Sequence, residues 1–170
     1  TTSGGARIYR LPLQAFPGLE AKVHLVLADE VIALVDAGSG YGRSNDDLLA
    51  GFAAVQQEFG EKVTLADVRQ ILITHAHIDH FGGLTLVREH CRAPVMVHEL
   101  DLRVLNNYEE QLTIASNGVR RFLAQAGVSA NSQASLIALY LMTKNLFRSV
   151  AVESTYEAMG MVSGPFRFYH

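Results

Sequence analysis

The segment His75-Ala76-His77-Ile78-Asp79-His80 packs three imidazoles and a carboxylate into six residues, directly after the apolar run Ile71-Leu72-Ile73 and Thr74. No other stretch constrains the fold as strongly. Neutral imidazole and carboxylate together suit zinc, iron or manganese, and the alternation matters as much as the composition. A run leaving a buried strand directs His75 and His77 to one side of an extended loop. Asp79 and His80 then follow the turn and face a second metal position beside the first. Gly82 and Gly83 let the backbone approach closely before a helix begins near Leu84. A surface histidine-rich tract or a tag is the plainer reading, but such tracts lack a flanking buried strand and a Gly-Gly turn.

The flanking sequence predicts layered α/β architecture. Arg7 to Leu11 reads as a short strand ending at Pro12, Lys22 to Leu27 as a half-buried strand, and Val31 to Val35 as its partner after a turn at Ala28-Asp29-Glu30. Ser44 or Asn45 caps a helix to Phe59, with Asp46 and Asp47 in its first turn and Leu48, Leu49, Phe52, Val55 and Phe59 on its apolar face. Gly60 ends it. Thr64, with Asp67 three residues on, caps a short turn before the strand Gln70 to Thr74. A helix over Leu84 to His90 and a strand over Pro94 to Val97 complete the alternation. From about Glu99 to Val150 the chain reads helical, as an αα-hairpin about Gly127-Val128-Ser129-Ala130. Leu112, Ala115, Val119, Phe122 and Ala126 mark one face. Leu136, Leu139, Tyr140, Thr143, Phe147 and Val150 mark the other, on a helix starting near Asn131 or Ser132. Strand character returns at Pro165 to His170.

With 170 residues the chain is ample for one domain, and 49% hydrophobic against 18% charged residues describes a globular protein. A net charge of −3, three lysines and eleven scattered arginines disfavour nucleic acid as a partner. Cys91 is the single cysteine, so no intrachain disulfide forms, which fits a reducing, cytoplasmic setting. No run approaches the ~18 apolar residues of a membrane helix, so no membrane partner is expected. Thr1 to Gly5 show no signal-peptide core.

The pattern His-x-His-x-Asp-His at 75–80 resembles the signature of the metallo-β-lactamase superfamily of binuclear metallohydrolases. Val35-Asp36-Ala37-Gly38, after the strand Val31 to Leu34, is similar to that family's earlier strand-Asp-x-Gly element. The resemblance covers roughly residues 6 to 100 and implies an αββα sandwich. On that basis residues 1–100 are expected to form the N-terminal half of the domain, 101–164 a helical insertion serving as lid or dimer contact, and 165–170 the start of a second-half strand. The chain reads as the N-terminal part of a longer protein. Two zinc ions are implied, with iron or manganese as alternatives: one on His75 and His77, the other on Asp79 and His80, sharing a bridging hydroxide as nucleophile. Each pair gives two donors, below the three of catalytic zinc. The resemblance also gives Asp79 a catalytic role, orienting the water or protonating the leaving group.

Asp36 is expected to hydrogen-bond a ligand imidazole or the loop backbone, against a plain turn aspartate. His170 can be taken as a third ligand or as a terminal histidine without that role. His98 faces the same sheet end or caps the next helix; His24 and His90 read as solvated, and Cys91 as a core residue. Tyr108, Tyr140, Tyr156, Met142, Met159 and Met161 are candidates for a pocket wall. His80 after Asp79 argues against the β-lactamase subclass with arginine there, and His77 against the di-iron flavoprotein relatives with glutamate there. The implied activity is hydrolysis of small esters, thioesters or lactones, in a small-molecule enzyme that forms a homodimer if the helical segment is a dimer contact. The alternatives are an iron-dependent oxidoreductase of the persulfide dioxygenase type and a non-catalytic binding domain.

Overall fold

Apolar runs joined by tight turns build one sheet, and the connections between its parallel strands carry the helices. The structure, a computed structural model, describes residues 1–28, 31–144 and 146–169. Its six-stranded sheet has the order β1 (Arg7–Phe16), β2 (Leu19–Ala28), β3 (Val31–Val35), β4 (Gln70–Leu72), β5 (Val95–Val97) and β6 (Ser154–Thr155). The first three strands form an antiparallel meander, and β3 to β6 run parallel. Parallel neighbours need crossovers. Helix α1 (Ser44–Phe59) supplies the first, α2 (Ile78–Phe81) and α3 (Leu84–His90) the second, and α4 (Glu99–Asn106), α5 (Tyr108–Gln125) and α6 (Ala130–Lys144) the third. The chain is a mixed α/β protein, as the strand–helix alternation predicts.

Period-2 patterning divides the sheet into two buried faces. Leu25, Leu34, Ile71, Ile73, Val95 and Val97 pack in one cluster with Leu48, Phe52 and Val55 of α1 and Leu84 and Val87 of α3. On the other face Leu72 and Met96 meet Tyr156, Met161, Phe166 and Phe168, while Val26, Ala28 and Ala33 meet Phe166. A two-stranded hairpin, β7 (Val162–Ser163) with β8 (Phe166–Arg167), brings these aromatics there. That cover explains why β2 loses its alternation at its end, where residues 25 to 28 are all buried.

Several boundaries differ from the sequence expectation. Strand β1 does not stop at Pro12 but continues to Phe16, with Pro12 in register opposite Lys22. It is the edge strand, where a missing N–H is tolerated. Ser44 does not cap α1; it is the helix's first residue, fully buried, and its hydroxyl accepts from the amides of Ser39 at 3.1 Å and Gly40 at 3.4 Å. Phe59, in the last turn, is exposed and lies against the Tyr9 ring, while Leu49 sits one step off the buried stripe. The capping box of Thr64 and Asp67 and the end of α1 at Gly60 are as expected. Strand β6 carries no sequence signal, since Ser154 and Thr155 lack apolar side chains; pairing with β5 defines it.

The helical stretch is three helices, broken at Asn107, not two. Helix α6 starts at Ala130, with the Ser129 hydroxyl accepting from the Ser132 amide at 3.3 Å. The expected faces are buried only in part: Leu112, Phe147 and Val150 pack against the core, the last two beyond the end of α6 at Lys144. Ser116 and Ile137 are buried, whereas Phe122, Leu136 and Leu139 are 67%, 45% and 63% exposed. The buried stripe of α5 runs Tyr108, Leu112, Ser116 at four-residue spacing. The face drawn through Phe122 shares Leu112 with this stripe and then runs off to one side of it. Among the described residues no helix is long and apolar enough to cross a membrane. The turn at Asp29-Glu30 and the candidate ligand His170 lie outside the described residues.

Candidate metal centre

Parallel strands end at a common edge, so β3, β4, β5 and β6 deliver their following residues to one side of the molecule. Asp36 follows β3, Thr74 and His75 follow β4, His98 follows β5 and Tyr156 follows β6. Backbone hydrogen bonds tie this edge together beyond the strands. The Asp36 amide donates to the Leu72 carbonyl at 2.8 Å, and the Ile73 amide to Met96 at 2.9 Å. The Tyr156 hydroxyl donates to the Ile73 carbonyl at 2.7 Å. Burial raises its pKa, so it remains a donor.

The chain bends at residues 74–76 and enters α2, whose first turn holds Asp79 and His80. Backbone packing fixes this loop against residues 36 to 40. The Ala37 amide donates to His80 O at 2.7 Å, and the Gly83 amide to Gly38 O at 2.9 Å. A Cβ on Gly82 would strike the Ser39 carbonyl, and one on Gly83 the Ala37 carbonyl. The Gly-Gly pair therefore permits backbone-to-backbone contact.

Four side chains converge on this loop. His75 Nε2 lies 2.9 Å from His77 Nδ1, and the His75 ring centre is 4.0 Å from that of His80. His80 Nε2 lies 3.5 Å from Asp79 Oδ2. Two donors on one tetrahedral zinc, each at about 2.0–2.1 Å, stand roughly 3.3 Å apart. The two separations lie either side of that spacing, and the shorter one is also an ordinary hydrogen-bond distance. Desolvation, then the neighbouring His80 and His77 rings, lower the pKa of His75, which favours the neutral imidazole that metal binding requires. Among the described residues no three donor residues group around a single point.

Asp36 is buried, with a left-handed backbone at φ 63° that places its carboxylate under the loop. Its Oδ1 accepts from the Thr74 amide at 2.8 Å, and its Oδ2 stands 2.8 Å from His80 Nδ1. His80 therefore turns its other nitrogen, Nε2, toward Asp79. His98 is the N-cap of α4, its Nδ1 accepting from the Leu100 amide at 3.2 Å and its Nε2 3.0 Å from Glu157. His90 is exposed and reaches the Leu86 carbonyl; Cys91 is buried; His24 is half-buried on β2. Of the pocket-wall candidates, Tyr156 and Met161 line a cavity of about 390 Å³ with Thr74, His98, Phe166 and Phe168. Tyr108 instead packs between Phe81 and Phe147, Tyr140 is half-buried on α6 with Lys144 over its ring, and Met142 and Met159 are exposed. Sequence reasoning misses Thr74, whose hydroxyl touches both Asp36 oxygens and His75 Nδ1. Its signal is a polar residue closing an apolar strand immediately before the first histidine.

A sequence model of the metallo-β-lactamase superfamily matches residues 19–146, and the chain belongs to that superfamily. Its members are mostly metallohydrolases and typically bind zinc. Among solved structures, a metallo-β-lactamase family protein from Thermus thermophilus is similar at 20% identity, over 85% of this chain and 44% of that one, with a TM-score of 0.62. The FEZ-1 metallo-β-lactamase from Legionella gormanii is similar at 15% identity, over 87% of this chain and 42% of its own, with a TM-score of 0.51. These likenesses concern the fold, and the chain spans less than half the length of either structure. No curated protein matches it.

Proposed function

We propose that the chain carries the first ligand set of a metal-dependent hydrolase acting on small esters, thioesters or lactones. The observation behind this reading is the convergence of two pairs of metal-compatible side chains on one loop, His75 with His77 at 2.9 Å and Asp79 with His80 at 3.5 Å. His75 Nε2 and His77 Nδ1 would hold one ion, and Asp79 and His80 Nε2 the other, with zinc the best match to these donors. A bound divalent ion acidifies a coordinated water and polarises an acyl carbonyl. The chain's own residues orient the donors: Asp36 holds His80 through Nδ1, and the contact of Gly82 and Gly83 with residues 37 to 40 holds the loop. By resemblance to the superfamily, the Asp79 carboxylate would also orient the attacking water or protonate the leaving group. Two donors per ion fall short of the three or more at catalytic zinc, so further donors would be needed to complete each shell. The helical segment 101–164 would act as lid or dimer contact.

Equilibrium dialysis against zinc followed by elemental analysis tests the site. Bound zinc near stoichiometric, lost in His77→Ala, is the expected outcome. Equal uptake by wild type and variant would overturn it. Thioesters and lactones, with β-lactams as cyclic acyl compounds for comparison, are the substrates to assay on the zinc-loaded protein.

A further inference from the structure

We propose that Thr74 is a positioning residue that relays the hold of Asp36 to His75, fixing its imidazole with the proton on Nδ1 and the Nε2 lone pair toward the metal position. The inference rests on the metal reading given above and adds to it how the first histidine is oriented. The geometry sets the direction of each hydrogen bond. Thr74 Oγ1 stands 3.0 Å from Asp36 Oδ1, 2.9 Å from Asp36 Oδ2 and 3.1 Å from His75 Nδ1. A carboxylate offers only acceptors, and a hydroxyl has a single proton. That proton must point at Asp36, or two sets of lone pairs would face each other at contact distance. The Thr74 oxygen is then an acceptor toward His75, so His75 Nδ1 must donate. In a neutral ring, Nε2 is left bare.

The same lone pair accepts from His77 Nδ1 at 2.9 Å when no ion takes it. Asp36 thus orders two imidazoles by different routes: His80 by direct contact at 2.8 Å, and His75 through the Thr74 hydroxyl. The His80 Nδ1 to Thr74 Oγ1 distance of 3.4 Å is longer than the Asp36 contact and leaves the hydroxyl to His75. The Thr74 amide, also bound to Asp36 Oδ1, holds the residue in place. Its side chain is exposed, so replacement does not open a core cavity.

The test is a long-range ¹H–¹⁵N spectrum of the histidine rings in the metal-free full chain, for wild type, Thr74→Val and Thr74→Ser. Wild type and Thr74→Ser should show His75 protonated at Nδ1 and bare at Nε2, and Thr74→Val, which keeps shape without the hydroxyl, should lose that preference. Zinc affinity should fall about tenfold to hundredfold in Thr74→Val and be restored by serine. A wild-type His75 carrying its proton on Nε2 would overturn the proposal with no variant needed. So would an unchanged His75 tautomer in Thr74→Val. If the tautomers behave as stated while wild type takes up no zinc, the relay stands and the metal reading fails.

Discussion

A methyl group on Gly83 would collide with the carbonyl of Ala37, and one on Gly82 with that of Ser39. Neither neighbour is a side-chain tip that can swing away. Gly83→Ala should therefore lose about 1–3 kcal/mol of stability through overpacking, read from urea unfolding, and its zinc uptake should fall because the loop moves off Asp36. Stability within error of wild type would show that residues 37 and 83 are not in contact. At this scale much of the cluster was legible: the spacing of His75, His77, Asp79 and His80 singled out side chains that the fold brings together, and Gly82-Gly83 announced a close approach. Asp36 was expected to reach an imidazole or the loop backbone, and it meets both His80 and the Thr74 amide, but the particular atoms that meet between distant segments were not legible. Asp36 stands out in the sequence, but its bond to the Thr74 amide depends on β3 and β4 lying side by side, which spacing along the chain does not reveal.

Local chemistry made some elements readable to the residue. The Asp67 carboxylate accepts from the Thr64 hydroxyl at 2.7 Å and amide at 2.8 Å, and these bonds lower its pKa. Because the folded pKa is the lower one, the stabilisation is complete above the ordinary carboxylate value of about 4 and is lost as pH falls through the depressed folded value. Asp67→Ala should cost about 1 kcal/mol at neutral pH, with the gap from wild type narrowing in acid, below the ordinary carboxylate range. Urea midpoints at neutral and acid pH check this; a gap that persists in acid would mean the carboxylate is not the source. Elements fixed by their neighbours were harder to see. Pro12 looks like a stop, but its place at the sheet edge lets β1 continue, and Ser154 and Thr155 form a strand because Met96 and Val97 are opposite them.

The α5–α6 hairpin sets the limit of sequence reading for the whole molecule. Its helices carry apolar residues on more than one side, so periodicity proposes Phe122 and Leu139 as contacts where packing buries Ile137. Ile137→Ala should cost about 2–5 kcal/mol, whereas Phe122→Gln should stay within about 0.5 kcal/mol of wild type. Denaturant titration separates the two, and equal losses would mean that Phe122 is covered.

The backbone contact between residues 37–40 and 82–83 has a further consequence, for how such a protein diversifies. A wall of peptide groups offers no side chain to exchange, so substitutions there break the site without retuning it. Variation that retunes this end of the molecule has to arise in other segments reaching the same sheet edge, and the chain between β5 and β6, residues 98 to 153, is the longest of these.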